Sequence, residues 1–170
     1  MNMNLNFERV YIGSDHAGYD LKEDLKRYYA QKGLKLIDLG TFSNESIDYP
    51  DIAREVSEKV LESPKSFGIL ICGTGIGMMM TANKYAGIRA AVCTHELMAK
   101  MARAHNDANI LCLGSRIIGA ELARHITDVF LETPFEEEER HVRRVGKIDN
   151  SLAGKMGGPA LIVEKPEDCC

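Results

Sequence analysis

The hydrophobic and polar residues of this chain fall into two patterns that alternate along its length. Short apolar runs occupy residues 8–15, 34–40, 67–72, 88–93 and 108–115. Apolar residues recur every three or four positions at 19–33, 48–63, 95–106, 119–133 and 136–150, and a further helix is expected from the glycines at 73–77 to about Tyr85. Short continuous runs are typical of buried strands, and the wider spacing is typical of helices. We therefore predict that strands and helices alternate.

This alternation predicts a parallel sheet whose strands are joined by right-handed crossover helices on both faces. The run 67–72 is apolar at every position, as expected for a strand covered on both faces. A length of 170 residues is typical of a single domain. We assign residues 1–150 to one α/β domain with about five strands. Residues 151–170 are assigned to a C-terminal extension, in which "ALIVEK" is either a short strand or a segment that packs on a partner subunit.

Composition narrows the range of partners. The net charge is −4, whereas proteins that bind nucleic acids or membrane surfaces usually carry an excess of Lys and Arg. The N-terminus lacks the basic and apolar regions of a secretory signal, and no run approaches the ~20 apolar residues of a membrane span. We therefore expect a cytoplasmic protein that binds neither nucleic acid nor membrane.

The five cysteines fit a reduced compartment. No CxxC motif or His-spaced cysteine pair suggests a zinc site, so no metal is expected. Cys93 and Cys112 lie in or at the end of apolar runs and are expected to be core residues. No role is assigned to the adjacent Cys169 and Cys170 in the tail. Cys72 differs from the others because a glycine-rich loop follows it directly.

Polar residues and glycines gather after the predicted strands, at the carboxyl edge where ligands bind in such folds. Each segment alone is weak support for a site, but all of them belong to one edge of the sheet. The segments after strands one, three, four and five are Ser14-Asp15-His16-Ala17-Gly18, Cys72-Gly73-Thr74-Gly75-Ile76-Gly77, Thr94-His95 and Gly114-Ser115-Arg116.

The glycine spacing at 73–77 is GxGxG, which differs from the GxGxxG of dinucleotide-binding folds, and the chain has no GxxxxGK[ST] motif. Two interpretations stay open. The loop is either a plain turn from strand to helix or a cradle of N–H groups for a developing negative charge. In the second case the loop favours the thiolate form of Cys72, which becomes a candidate base or nucleophile. In the first case Cys72 is an inert packing residue.

Two histidines also have a structural and a functional interpretation. His105 precedes Asn106 at the end of a predicted helix, where a histidine can simply complement the helix dipole. His16 follows Asp15 in the loop after strand one. There the aspartate can form an Asx-type turn and cap the next helix.

The last predicted helix begins with acidic residues and continues with arginines. Glu136–Arg140 and Glu139–Arg143 are spaced as i,i+4 ion pairs, which would stabilise the helix and nothing more. However, Arg140 and Arg144 also lie one turn apart on one face. Two guanidinium groups in that arrangement can grip a phosphate.

Five stretches of sequence together resemble type B ribose-5-phosphate isomerase, a family that includes the subunits of galactose-6-phosphate isomerase. They are "GSDHAGYDLK" at 13–22, "LGTFSNESIDYPDIA" at 39–53, "GILICGTGIGMMMTANKYAGIRAAVC" at 68–93, "ARAHNDANILCLGSRIIG" at 102–119 and "RHVRR" at 140–144. The resemblance covers residues 8–150. It implies a Rossmann-like sheet and an aldose–ketose isomerase that uses neither metal nor nucleotide, so no cofactor is expected. It also implies a homodimer with shared active sites, often paired into a tetramer.

The same resemblance implies catalytic roles at matching positions. Cys72 takes the place of the base that moves a proton between C2 and C1 of the sugar. A related branch uses a Glu a few residues further on, where this chain has Met78. Thr74 would stabilise the enediolate intermediate together with the N–H groups of three glycines. These glycines are Gly73, Gly75 and Gly77. His105 would open the sugar ring.

The remaining matching residues are implied to bind the substrate, a small phosphorylated sugar. Asp15 and Asn106 would bind hydroxyl groups, and Tyr49 in the motif "DYP" would line the pocket. The groups implied to hold the phosphate are those of His16, Arg140, Arg144 and, as a further candidate, Arg116.

The reaction implied is the interconversion of D-ribose 5-phosphate and D-ribulose 5-phosphate in the non-oxidative pentose phosphate pathway. Galactose 6-phosphate and allose 6-phosphate are alternative substrates within the family. From a different class, the chain could be a nucleotide-binding regulatory module built on a similar sheet.

Overall fold

The computed structural model describes residues 7–63 and 65–153 of the chain. Five strands alternate with six α-helices, and a single 3₁₀ turn, His16–Gly18, follows the first strand. The strands are β1 Arg9–Ser14, β2 Ile37–Asp38, β3 Ser66–Cys72, β4 Ala90–Val92 and β5 Ile110–Gly114. The helices are α1 Tyr19–Gln31, α2 Tyr49–Glu62, α3 Ile76–Ala82, α4 Glu96–Asn106, α5 Ala120–Glu132 and α6 Glu139–Ala153.

All the strands are parallel and lie in the order β2-β1-β3-β5-β4. The register pairs Ser14 at the end of β1 with Ile71, and Cys72 at the end of β3 with Gly114 of β5. The chain reverses its direction of winding between β1 and β3, because β2 lies on one side of that pair and β4 and β5 lie on the other. Such a switch point opens a crevice at the carboxyl ends of its two strands.

Two hydrophobic cores lie on the two faces of the sheet. One face is covered by α1, α4 and α5, with Leu25, Tyr29 and Phe130 completely buried. The other is covered by α2 and α3, with Val56 and Met78 completely buried. The central strand β3 contributes side chains to both cores, which is why its sequence is apolar throughout. The predicted α/β class, with a five-stranded parallel sheet covered on both faces, is confirmed.

Several boundaries differ from the sequence prediction, those of β2 and of the start of α6 among them. β2 has only two residues, although residues 34–40 were expected to form a strand. α6 begins at Glu139, so Glu136 precedes the helix and does not lie within it. The expectations for "ALIVEK", Cys169 and Cys170 fall outside the described residues. In the part of the chain that is described, none of the helices is long and apolar enough to cross a membrane.

Candidate active site

The loop after β3 holds a buried thiol against a backbone donor. Cys72 is the last residue of β3 and is 5% exposed. The N–H of Gly75 donates a hydrogen bond to Cys72 Sγ over 3.1 Å. Gly75 has φ +79°, a left-handed conformation that residues with a Cβ rarely adopt. A Cβ there would also lie 2.7 Å from Cγ2 of Val92. Glycine is therefore required at this position for the loop to reach the sulfur.

Two side chains from distant parts of the sequence lie against the other glycines of this loop. A Cβ on Gly73 would lie 3.4 Å from the side chain of Arg116, and a Cβ on Gly77 would lie 2.6 Å from the ring of Tyr49. Both glycines therefore leave room for a neighbouring side chain. Thr74, between them, is exposed, and its Oγ1 accepts a hydrogen bond of 3.4 Å from the N–H of Ile76.

The loop after β1 lies beside the β3 loop. Asp15 is buried, its N–H donates to the carbonyl of Ile71, and its Oδ1 accepts from the N–H of Gly18 over 3.0 Å. The predicted capping by Asp15 is confirmed, although it caps a 3₁₀ turn rather than an α-helix. His16 Nδ1 and Ser14 Oγ are buried and have no hydrogen-bond partner among the described residues.

Ser115 connects three of the strand-end loops, a role that the sequence analysis missed. Its N–H donates to the carbonyl of Cys72 over 2.9 Å, and its hydroxyl donates to the carbonyl of Ala17 over 2.7 Å. The next residue, Arg116, donates its N–H to the carbonyl of Gly73. The position of Ser115 directly after an apolar strand was the signal available in the sequence. We call Asp15, His16, Tyr49, Cys72, Gly73, Thr74, Gly75, Gly77 and Arg116 the strand-end cluster.

Arg116 also borders a cavity of about 460 Å³ between the first turns of α1 and α5. Asp20 and Asp24 line the same cavity. Asp24 is bound by Arg124 at 2.6 and 2.8 Å. Two carboxylates therefore line this cavity together with the guanidinium of Arg116.

The other predicted site residues lie at the opposite edge of the sheet. α4 runs back from the carboxyl edge, and His105 and Asn106 are its last two residues. The imidazole of His105 stacks on that of His141 in α6, with ring centroids 4.3 Å apart and planes 11° apart. Asn106 borders a groove of about 370 Å³ that Ile148 of α6 also lines. We call His105, Asn106, Arg140 and Arg144 the helix-end set.

The strand-end cluster and the helix-end set do not meet within one chain. His105 lies just before β5, whereas Cys72 pairs with Gly114 at the end of β5. The five residues of β5 rise by roughly 13 Å, at about 3.3 Å per residue. A substrate that touches both groups would therefore need two copies of the chain.

One of the two ion pairs predicted for the last helix, Glu136–Arg140, forms with a different glutamate. Arg140 pairs with Glu138 at 2.8 Å and not with Glu136. The reason is that Glu136 lies before the helix, where its Oε2 is 3.5 Å from Nε2 of His105. The expected pair Glu139–Arg143 is present at 4.0 Å, with both side chains exposed. The neighbourhood of His105, Glu136 and His141 was not found from the sequence, because it depends on how α6 packs on α4.

The remaining cysteines of the sheet are ordinary core residues, as predicted. Burial raises the pKa of Cys93 to about 12. Burial also raises the pKa of Cys112 well above its usual value, with the neighbouring thiols as smaller causes. Both thiols therefore stay protonated at neutral pH. Neither has a glycine loop beside it, which distinguishes them from Cys72.

A parallel sheet covered on both faces, with polar loops at its switch point, places this chain in the class of Rossmann-like α/β proteins. Within that class, the family model for Ribose/Galactose Isomerase matches residues 10–148. The chain is 43% identical to ribose-5-phosphate isomerase B of Escherichia coli over 83% of this chain and 94% of the relative. The chain therefore belongs to the ribose/galactose isomerase family and is an isomerase.

Solved structures agree with this assignment. The ribose 5-phosphate isomerase of Thermotoga maritima superimposes with a TM-score of 0.81 at 54% identity, over 84% of this chain and 97% of that one. The type B ribose 5-phosphate isomerase of Trypanosoma cruzi has a TM-score of 0.82 at 46% identity, over 86% and 99% of the two chains. These likenesses extend over nearly the whole of the known chains, so the family's complete fold is present here.

Proposed function

We propose that this protein interconverts D-ribose 5-phosphate and D-ribulose 5-phosphate, with Cys72 as the base. Its relatives of known name support a phosphorylated sugar as the substrate. The observation that carries the cysteine assignment is the hydrogen bond from the N–H of Gly75 to Cys72 Sγ. That N–H is aimed at the sulfur, where a fixed backbone donor can bind negative charge that develops during proton transfer.

The proposed reaction begins with ring opening, in which His105 moves a proton between the ring oxygen and the C1 hydroxyl. The thiolate of Cys72 then takes the proton from C2, and the electron pair left behind forms the enediolate. The same proton returns to C1, and a hydroxyl proton moves from O2 to O1, which gives the ketose. Backbone N–H groups of the β3 loop and the hydroxyl of Thr74 are suited to stabilise the enediolate oxygens, because such fixed donors need no reorganisation.

The phosphate is proposed to bind between the two groups of basic residues. Arg116 and His16 would hold it from the strand-end cluster, and Arg140 and Arg144 from the helix-end set of a second copy. Asp15 and Asn106 would bind hydroxyl groups of the sugar, and Tyr49 would line the pocket beside Gly77. This arrangement requires a homodimer with two shared sites, and pairing of dimers into a tetramer is compatible with it.

The direct test is turnover of ribose 5-phosphate by the wild type and by Cys72→Ala. We expect kcat to fall by roughly 10²–10⁴-fold, because general base catalysis contributes about that much. Binding of the phosphate sugar should change little. Cys93→Ala is the matched control, since it removes another buried thiol of the sheet and should leave kcat within about twofold. Full activity of Cys72→Ala would contradict the base assignment.

The shared site can be tested separately by mixing two inactive variants. Cys72→Ala and His105→Ala are unfolded together and refolded, so that mixed dimers form. Each mixed dimer contains one wild-type site and one doubly altered site, and about a quarter of the wild-type activity should return for a two-fold symmetric dimer. If each chain carried a complete site, mixing would restore nothing.

Six-carbon phosphates are the second candidate substrates, because the matching family model is named for both ribose and galactose. Turnover of ribose 5-phosphate compared with galactose 6-phosphate and allose 6-phosphate decides between them. We expect kcat/KM to be highest for ribose 5-phosphate. A higher value for either six-carbon sugar would replace it as the substrate.

A further inference from the structure

We propose that His105, Glu136 and His141 form a binding site for a transition-metal ion, best matched to Zn²⁺, and that the bound ion inhibits the enzyme. We call these three residues the His–Glu–His cluster. Its ligand atoms are Nε2 of each histidine and a carboxylate oxygen of the glutamate. The inhibitory consequence rests on the role proposed for His105, whereas the binding of the ion does not.

The three ligand atoms are already close to the separations that an ion requires. One ligand atom from each residue lies within 4.8 Å of the others, and Glu136 Oε2 is 3.5 Å from Nε2 of His105 and 4.0 Å from Nε2 of His141. Ligands about 2.1 Å from a tetrahedral zinc ion lie about 3.4 Å apart. The glutamate therefore needs to move by only a few tenths of an ångström relative to each histidine.

The nitrogen of His141 points independently to a ligand. Its side chain is 4% exposed, and its Nε2 is buried without a hydrogen-bond partner among the described residues. The nearest carboxylate oxygens, of Glu138 and Glu136, are 3.9 and 4.0 Å away, which is beyond hydrogen-bonding distance. Buried polar atoms in proteins are nearly always bonded, so this orphaned nitrogen needs an explanation. A metal ion between His141 and Glu136 supplies one.

The fold brings the cluster together from three separate elements. His105 is in the last turn of α4, and His141 is in the first turn of α6. Between α5 and α6, the N–H of Glu136 donates to the carbonyl of Ala104 over 2.9 Å, which fixes the glutamate beside His105. The backbone therefore positions all three ligands before any ion binds.

The side chains differ in their freedom to adjust. His141 is buried and acts as the fixed ligand, whereas His105 and Glu136 are 38% and 46% exposed. The two imidazole planes are nearly parallel, so a shared ion requires one ring to turn toward the other's nitrogen. His105, as the more exposed ring, is free to make that rotation. A water molecule would complete the tetrahedron, as in other zinc sites with three protein ligands.

The ligand types select the ion. Two imidazoles and one carboxylate suit Zn²⁺ and neighbouring transition metals, whereas Mg²⁺ and Ca²⁺ prefer a shell of oxygen atoms. Coordination engages the lone pair of His105 Nε2, which can then no longer accept or deliver a proton. In the proposed reaction this stops ring opening. Micromolar zinc should therefore inhibit the enzyme without unfolding it.

The test is calorimetric titration of the full chain with ZnCl₂, carried out on a Cys169→Ser/Cys170→Ser background so that tail thiols do not contribute. We expect one ion per chain and at least tenfold weaker binding in Glu136→Gln and in His141→Ala. Glu136→Gln is the main variant because its exposed side chain can be replaced without disturbing the core. Glu137→Gln is the matched control, since it removes an adjacent exposed carboxylate and should not change the affinity. Equal affinity in Glu136→Gln and wild type would overturn the site.

Cobalt gives an independent check on the ligands. Co²⁺ bound by imidazole and carboxylate shows only its weak visible bands, whereas a cysteine ligand adds an intense thiolate charge-transfer band. We expect the weak bands alone, and their loss in Glu136→Gln. A charge-transfer band would mean that a cysteine binds the ion and would contradict the proposal.

The inhibitory part is read from turnover of ribose 5-phosphate in the presence and absence of zinc. Zinc should inhibit the wild type, and Glu136→Gln should need at least tenfold more zinc for the same inhibition. If zinc binds at the cluster but leaves turnover unchanged, the inhibitory claim is wrong. If the metal-free protein turns over none of the sugar phosphates, the proposed function fails, and the calorimetric and cobalt measurements still decide the metal site.

Discussion

The strand-end cluster and the His–Glu–His cluster lie at opposite edges of the same sheet and are built in opposite ways. Around Cys72, the backbone makes most of the contacts, and glycines let the loops approach one another closely. Around His105, side chains make the contacts, and two of the three are substantially exposed. We therefore expect the strand-end cluster, whose contacts are made by the backbone, to tolerate few substitutions. Side chains of the His–Glu–His cluster can be replaced without loss of the fold.

Among the variants that compare the two clusters, Gly75→Val is expected to have the largest effect. The new side chain would meet Val92 and Leu113 and would force a positive φ on a β-branched residue. We expect turnover to fall by roughly 10²–10³-fold, as for loss of a fixed backbone donor, and stability to fall by about 2–3 kcal/mol. Turnover and urea unfolding measure the two effects.

Gly119→Ala is the control for this prediction. A Cβ at Gly119 has no atom within 4 Å, and its φ is −77°. Both turnover and stability should stay close to wild type. Equal behaviour of the two glycine variants would show that the β3 loop is not the rigid part of the molecule.

The second-largest expected effect is a loss of stability on removal of the buried charge of Lys22. Lys22 is completely buried and donates to both oxygens of Asp38 at 2.7 and 2.6 Å. Asp38 also accepts from the N–H of Gly40, whose carbonyl accepts from the N–H of Ser14. Lys22→Met should cost about 3 kcal/mol of unfolding free energy, because it removes the buried one of the two lysines that pair with the mostly buried carboxylate of Asp38.

Lys26→Met is the matched variant, since Lys26 also donates to Asp38 at 2.6 Å but is 29% exposed. Its cost should be about 1 kcal/mol or less, as for pairs near the surface. Urea unfolding of both variants gives the comparison. Equal losses of unfolding free energy in the two variants would mean that the burial of Lys22 does not strengthen its ion pair with Asp38.

In the His–Glu–His cluster, His105→Ala should lower turnover without lowering stability. Turnover is expected to fall by about 10²-fold, the lower range for loss of an acid–base group. The melting temperature should change little, because the ring is partly exposed and its removal leaves no buried charge. His125→Ala, at another exposed histidine, should change neither quantity. A large loss of stability in His105→Ala would make this residue a structural element of the fold.

The smallest expected effect is a pH dependence of stability at Asp38. Burial acts to raise the pKa of Asp38, but hydrogen bonds from Lys22, Lys26 and the N–H of Gly40 outweigh it and lower the pKa below its usual 3.8. A carboxyl with a lowered folded-state pKa stabilises the fold above its unfolded pKa, and this stability is lost as pH falls through the folded value.

The difference in unfolding free energy between wild type and Asp38→Asn should therefore be largest above about pH 4 and shrink below it. Urea unfolding at a series of pH values measures this difference. A difference that stays constant with pH would indicate that Asp38 acts through packing and not through its charge.

Much of the fold could be predicted because its signals are local. The apolar run of β3 and the helical spacing of α5 each identify an element within a few residues. β2 was predicted too long because Leu34 and Leu36, just before it, are apolar in order to pack in the core and lie outside the paired segment Ile37–Asp38. The start of α6 was predicted too early because the acidic residues before it resemble a first helical turn.

The strand-end cluster could be predicted because parallel strands bring their carboxyl ends to one edge, whatever their order. The sequence placed Asp15, Cys72 and Arg116 there from position alone. It could not show that Ser115 connects the loops, since this depends on the order β1-β3-β5. Nor could it show that Glu136 faces His105, because that contact depends on the route of the chain between two helices.

By itself, the sequence determined the alternation of strands and helices, the family, and the residues that carry polar or thiol chemistry. These follow from side-chain periodicity and from short motifs, which are properties of neighbouring residues. Only the tertiary structure decided which of those residues meet. It placed His105 beside His141 and a sheet's length from Cys72, since contacts between distant segments depend on strand order and helix packing.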